Sequence, residues 1–186
     1  MKYFLLSDIH GSVTQLDKVL DIYRSEHCDM LLLLGDILNY GPRNGVPEGL
    51  DAKGVTERLN ALADNIVAVR GNCDSEVDQM LLQFPIQSPY VLLADEGVRF
   101  FLTHGHVYGE GKWPAGPACE VLVQGHTHLA KLEAAQPETG RPVVLNTGSP
   151  TFPKGGNPPT FATWAGGTLA LRTLDGMALQ TLKLHD

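Results

Sequence analysis

The chain is short of cysteine, of positive charge and of long apolar runs, and each shortage removes a class of protein. Cys28, Cys73 and Cys119 are its 3 cysteines in 186 residues. They make no CxxC pair and no even framework, so a disulfide-stapled scaffold is excluded and free thiols in a reducing compartment are expected. Lys and Arg number 14 against 21 Asp and Glu, a formal charge of −7, which disfavours a general binder of nucleic acid or acidic membrane. The longest apolar run, residues 30–34, falls far short of the roughly 20 residues of a membrane span. The apolar stretch at residues 3–6 is cut short by Asp8 and reads as a buried strand, not a signal peptide. No Asn-x-Ser/Thr sequon occurs, and the cytoplasm is the expected location. GxxxxGK[ST] is absent, which excludes a P-loop. GEGKWPAG at 109–116 does not satisfy GxGxxG either and reads as a loop over the site.

With 43% hydrophobic and 19% charged residues, what remains is an ordinary globular chain. Its length fits one domain over 1–186 with a sizeable core. No linker, repeat or low-complexity tract interrupts it. Residues 2–7, 30–34 and 66–69 read as buried strands. Residues 13–26 carry Val13, Leu16, Val19, Leu20 and Tyr23 at helical spacing, and 52–63 suggest a second helix. That strand–helix alternation implies a parallel sheet. Later, residues 90–94 and 98–103 flank Asp95-Glu96-Gly97, a hairpin signal. Residues 121–124 and 143–145 are further buried strands. The tail repeats the hairpin pattern at Gly166-Gly167 and Asp175-Gly176. A parallel half and an antiparallel half suggest two sheets packed face to face with helices outside.

Chemistry-bearing residues recur where strands end. In order they are Asp8-Ile9-His10-Gly11, Gly35-Asp36, Gly71-Asn72-Cys73-Asp74, His104-Gly105-His106 and Gly125-His126-Thr127-His128. A lone Asp or His after a strand is an ordinary turn former. Five such motifs, holding 5 of the 7 histidines, are not. Residues i and i+2 of extended chain project to one side, which suits DxH and HxH pairs to a shared ligand. Ligands of open α/β sheets bind beyond the carboxyl ends of the strands, so the five loops can converge. The remaining histidines, His27 and His185, look like surface residues. Carboxylate, imidazole and carboxamide donors without a thiolate cage exclude a zinc finger and suit Mn²⁺, Fe, Zn²⁺, Co²⁺ or Ni²⁺. The donors are too many for one ion; two ions sharing a carboxylate would use them all, and paired metals are the standard device for phosphate-ester hydrolysis.

In that order the motifs DxH, GD, GNCD, THGH and GHTH resemble the calcineurin-like metallophosphoesterase superfamily, in particular its small bacterial and archaeal YfcE-type phosphodiesterases. GDILNYGPRN at 35–44, VRGNCDSEVDQMLLQFP at 69–85 and PKGGNP at 153–158 extend the resemblance over most of the chain. It implies an α/β fold: a four-layer αββα sandwich of two mixed sheets packed face to face with flanking helices. It also implies two divalent metals, Mn first among them, one held by Asp8, His10 and His128 and one by Asn72, His104 and His126, with Asp36 between. A bridging hydroxide would attack phosphorus in line. Histidine must be neutral to ligate, so activity is expected to fall in acid.

The superfamily's GNH has Cys73 in the histidine position, which departs from the pattern. Nearby metal charge favours a thiolate there, so leaving-group protonation is expected to be weak and good leaving groups preferred. Asp74 is expected to orient a neighbouring group. His106 sits in sequence beside the site as a candidate phosphate contact. Arg43 and Asn44, in the Gly/Pro-rich loop after Asp36, and Lys154, in Lys-Gly-Gly-Asn, are candidate substrate contacts. The leading reading is a metal-dependent phosphodiesterase acting on a small molecule. A phosphomonoesterase or nucleotide pyrophosphohydrolase on the same metals, and a non-catalytic metal-binding scaffold, are the alternatives. A homo-oligomer is also expected to be open to this chain, with Leu81, Leu82, Phe84 and Tyr90 as interface candidates.

Overall fold

The structure, a computed structural model, describes residues 1–112 and 116–185. The part of the 109–116 loop at 113–115 lies outside the described residues. A first sheet has the order β11-β10-β9-β1-β2-β3, built from Tyr3–Leu6 (β1), Met30–Leu33 (β2), Ile66–Ala68 (β3), Thr160–Ala165 (β9), Thr168–Thr173 (β10) and Ala178–Lys183 (β11). β1, β2 and β3 run parallel, while β9 joins β1 antiparallel with Tyr3 opposite Trp164. A second sheet has the order β4-β5-β6-β8-β7, built from Tyr90–Asp95 (β4), Val98–Thr103 (β5), Val121–Gln124 (β6), Lys131–Glu133 (β7) and Val143–Asn146 (β8). Its inner strands β5, β6 and β8 are parallel and its edges antiparallel. Two mixed sheets are therefore present as expected. The division is not between chain halves: the tail hairpins return to the first sheet through β9.

The pleat explains why the parallel strands read as unbroken apolar runs. Phe4 and Leu6 of β1 join one core with Leu31, Leu33, Ile66 and Ala68. Tyr3 and Leu5 face the other way, into the space between the sheets, with Leu32, Leu34, Phe100, Val121, Val143 and Trp164. The helix-side core is closed by Val13–Ser25 (α1) and Ala52–Asn60 (α2). α1 buries Leu16, Val19, Leu20 and Tyr23, and its N-terminus is capped by Ser12, whose Oγ accepts from Gln15 N–H at 3.3 Å.

Two elements escaped the sequence pattern. The short Glu76–Leu81 helix (α3) buries none of its residues and β7 buries only Leu132, so neither has a periodic apolar signature. α3 leaves Val77, Met80 and Leu81 exposed. Leu82 and Phe84 belong to the helix-side core rather than to an exposed patch. Tyr90 stacks on Phe101, their centroids 5.0 Å apart. The outer face of the second sheet, at Phe101, Leu122 and Val144, is covered among the described residues by Tyr108 and Cys119 of a loop rather than by a helix. His27 is exposed, but His185 is half-buried against Trp164, with ring centroids 6.0 Å apart. No helix among the described residues is long and apolar enough to cross a membrane.

Candidate active site

Asp8 and His10 follow β1, Asp36 follows β2, Asn72 follows β3, His104 follows β5, and His126 and His128 follow β6. β1, β2 and β3 run parallel in the first sheet and β5 and β6 run parallel in the second, and the loops after these five strands meet. The local geometry is not the extended chain that the i, i+2 spacing suggested. Asp8, His10, Asp36, His126 and His128 have φ between 52° and 67°, the left-handed region, and make up 5 of the 7 non-glycine residues with positive φ among the described residues. Each such residue costs roughly 1 kcal/mol or more, and clusters of them mark functional sites. The glycines beside them are required by contact. A Cβ on Gly71 would overlap Asp36, and one on Gly125 would overlap Ser7 Oγ and Asp8 Oδ2.

Backbone carbonyls fix the histidine rings. His10 Nδ1 lies 2.9 Å from Asn39 O, His104 Nδ1 2.6 Å from Leu34 O and His128 Nδ1 2.8 Å from Phe152 O. A carbonyl only accepts, so each Nδ1 carries the proton and each neutral ring presents a bare Nε2 to the site. These lone pairs converge. His10 Nε2 and His128 Nε2 are 3.2 Å apart. His128 Nε2 is 3.2 Å and His10 Nε2 3.6 Å from Asp8 Oδ1, a buried oxygen with no hydrogen-bond partner. Asp36 Oδ2 lies between the two groups, 3.7 Å from His10 Nε2 and 3.5 Å from His104 Nε2. Asn72 Oδ1 is 3.0 Å from His104 Nε2. Acceptors packed this closely need a cation, or protons in its place.

The electrostatics agree. Burial alone would lower the His104 pKa, yet the Asp36 and Asp8 carboxylates lift it to about 9. His10 is likewise raised by Asp8 against the pull of burial. Asp8 and Asp36 are lowered despite burial, through their histidine neighbours. Donor atoms of Asp8, His10 and His128 lie within 4.8 Å of one another, as do those of Asp8, Asp36 and His104. The residues fit divalent metal ions.

Asp74 lies beneath, buried. Its carboxylate accepts from the N–H groups of Asp36 (2.9 Å), Ile37 (2.9 Å) and Gly71 (2.7 Å), pinning the Asp36 loop to the Asn72 loop. Cys73 N–H donates to Asp36 Oδ1 at 2.8 Å. The Cys73 thiol is pushed up to about 12, by burial first and then by Asp36. The protein's own groups thus favour the neutral thiol in the metal-free protein, whereas the expected thiolate rests on the charge of bound metal. His106 stands beside His104 and His126, centroids 5.3 and 6.1 Å away, with a buried Nδ1 that has no partner. It does not line the open cleft, because Gly105 at φ 113° turns the chain between the two histidines.

That cleft, of about 820 Å³, has Asp36, Asn72, Cys73, His126 and His128 on one wall, and Arg43, Asn44 and Lys154 also line it. Several positioning residues were not singled out from the sequence. Ser7 Oγ donates to Asp8 Oδ2 at 2.5 Å. Ser149 and Thr151 donate to the carbonyls of Asp8 (2.8 Å) and Ile9 (2.7 Å). Asn146 Nδ2 donates to Gly125 O at 2.9 Å and Thr127 Oγ1 at 3.0 Å, holding the His126–His128 turn. The signal was the run Asn-Thr-Gly-Ser-Pro-Thr at 146–151, whose short polar side chains bond to backbone.

The fold and the converging donors define a metallophosphoesterase scaffold, and the chain belongs to the calcineurin-like phosphoesterase superfamily, whose domain model matches residues 1–165. Among curated proteins it is similar to Phosphodiesterase YfcE of Escherichia coli K12, 45% identical over 186 residues, all of this chain and 94% of that one. A solved structure of YfcE, a phosphoesterase from E. coli, superposes with a TM-score of 0.93 at 44% identity over the whole of both chains. Zinc-complexed Vps29 from Entamoeba histolytica, at 19% identity, shares the fold with a TM-score of 0.65 over the whole of both chains.

Proposed function

We propose that this protein is a metal-dependent phosphodiesterase with two divalent ions, manganese the first to test, acting on a small-molecule diester in a reducing cytoplasm. One observation carries the reading: three imidazoles, their tautomers fixed by carbonyls, aim bare Nε2 atoms at the carboxylates of Asp8 and Asp36. Asp8, His10 and His128 would hold one ion, Asn72, His104 and His126 the other, and Asp36 would serve both. Ions held there make water a usable nucleophile near neutral pH and neutralise charge on phosphoryl oxygens. The 45% identity to a protein named a phosphodiesterase supports the reaction class.

The chain's own groups then decide which diesters react. Asp74 holds Asp36 in place through three backbone N–H groups. In the metal-free protein burial and Asp36 push the Cys73 thiol up to about 12, a poor match for a general acid, which works best with a pKa near the operating pH. Leaving groups must depart largely unaided, which favours aryl and other stable oxyanions. Metal-stripped protein should therefore hydrolyse bis-p-nitrophenyl phosphate only after Mn²⁺ is added, and faster than p-nitrophenyl phosphate by about tenfold or more. Equal or greater monoester turnover would replace the diesterase reading with a phosphomonoesterase on the same site; no turnover of either ester with Mn²⁺ bound would overturn both.

Metal affinity should rise with pH. Ligation needs an unprotonated Nε2, while Asp36 and Asp8 hold the His104 proton up to about 9 against burial. Each ion that binds below that pH must expel protons, so affinity falls as pH falls. Calorimetric titration of Mn²⁺ between about pH 6 and 8, in buffers of different ionisation enthalpy, should show net proton release and tighter binding at the higher pH. An affinity flat across that range would mean that these histidines are not ligands.

A further inference from the structure

We infer that Arg43 and Lys154 form a second anion subsite, so that the cleft selects phosphodiesters one arm of which carries a further phosphate. This inference rests on the diesterase reading above and narrows its substrate class. The chain is acidic, with 21 Asp and Glu against 14 Lys and Arg, yet among the described residues the only acid lining the cleft is Asp36, which faces the histidines. Its two cations, Arg43 and Lys154, are exposed, and neither side chain has an acidic partner within ion-pair distance among the described residues. Two unpaired cations in a concave wall focus a positive potential there despite the net negative charge.

Both sit on backbone that is tied down. Pro42 and Arg43 are the middle of a turn closed by Asn44 N–H donating to Gly41 O at 3.0 Å, and Asn44 Nδ2 donates to Tyr40 O at 3.1 Å. The proline presets the turn's first φ, so the guanidinium projects from a fixed stem. Lys154 N–H donates to His128 O at 3.0 Å, while Asn157 returns its N–H (3.2 Å) and its Nδ2 (2.8 Å) to Lys154 O. One cation is thus anchored in the loop that follows Asp36 and the other on the carbonyl of a donor histidine, two loops that share one cleft. At about 820 Å³ the cleft has room for far more than a phosphodiester linkage. A fork of guanidinium N–H groups plus an ammonium carries two positive charges, which matches a phosphate monoester dianion better than a single carboxylate.

The test uses a matched pair with one leaving group: thymidine 5′-(p-nitrophenyl phosphate) and the same ester with a 3′-phosphate. With Mn²⁺-loaded protein, the 3′-phosphorylated ester should have a kcat/KM about tenfold higher, with the gain in KM. In Arg43→Gln and Lys154→Gln the ratio between the two esters should fall toward one, and in the double variant it should reach one. A ratio of one in the unaltered protein, with both esters turned over, would overturn the inference and leave the diesterase reading standing. If neither ester turns over, that reading fails, and calorimetry decides the subsite separately. Thymidine 3′,5′-bisphosphate should then bind more tightly than thymidine 5′-phosphate in the unaltered protein and not in the double variant. Equal binding of the two nucleotides would overturn it.

Discussion

Asp36→Ala will lower diester turnover by about 10³-fold, a loss of about 4 kcal/mol of transition-state stabilisation, while the protein stays folded. Among the described residues, Asp36 Oδ2 is the carboxylate oxygen that faces His10 and His104 together, at 3.7 and 3.5 Å. Without it the two donor groups have no shared anionic ligand, and on the proposed two-ion site the Mn²⁺ bound per chain should fall from two toward one. The loss should appear in kcat as well as in kcat/KM, because the group acts on the reacting centre and not on substrate capture alone.

The fold survives because two effects of the substitution oppose each other. Cys73 N–H loses its acceptor at 2.8 Å, which costs about 1–3 kcal/mol where a buried donor is left unpaired. The contact with His104 at 3.5 Å is lost as well, but the substitution also removes a buried carboxylate whose desolvation is costly and which Asp8 repels in the metal-free protein. Circular dichroism and a melting curve should show a folded protein with a melting temperature within a few degrees of the parent's. Full turnover in folded Asp36→Ala protein would move the chemistry away from the histidine cluster.

The convergence of these side chains was legible in the sequence because each sits in a short motif at a strand end. Each donor loop has its own short motif, and the buried strands behind them are unbroken apolar runs. What it could not show is carried by the backbone. The carbonyls of Leu34, Asn39 and Phe152 set the ring tautomers, and no residue type encodes a carbonyl. Left-handed φ at Asp8, His10, Asp36, His126 and His128 runs against local preference, so the spacing argument reached the right convergence through the wrong conformation. Asp74 follows Cys73 directly, yet its partners are the N–H groups of Asp36 and Ile37, remote in sequence. The return of the tail to the first sheet was likewise invisible, because hairpin signals fix neighbouring strands and not the sheet they join.

That return is where stability and the site meet, and Trp164→Ala tests it. Trp164 is fully buried between the sheets, edge-on to Phe100 with centroids 5.0 Å apart at 72°, and its Nε1–H donates to Asp95 Oδ2 at 3.1 Å. It lies on β9 directly opposite Tyr3 of β1, the strand that delivers Asp8 and His10. Truncation removes a large ring from a packed interior and takes the donor from Asp95, so unfolding free energy should fall by about 3–5 kcal/mol. Urea unfolding should show a midpoint well below the parent's with a similar slope. Trp164→Phe keeps an aromatic partner for Phe100 and loses the indole N–H, so it should cost clearly less. Saturating Mn²⁺ should recover part of the loss in Trp164→Ala, because binding to the folded form alone adds stability by mass action through the Asp8 loop that β1 carries. A midpoint unmoved by the substitution would mean that β9 does not hold β1 in place, and that the donors keep their positions by their own loop hydrogen bonds.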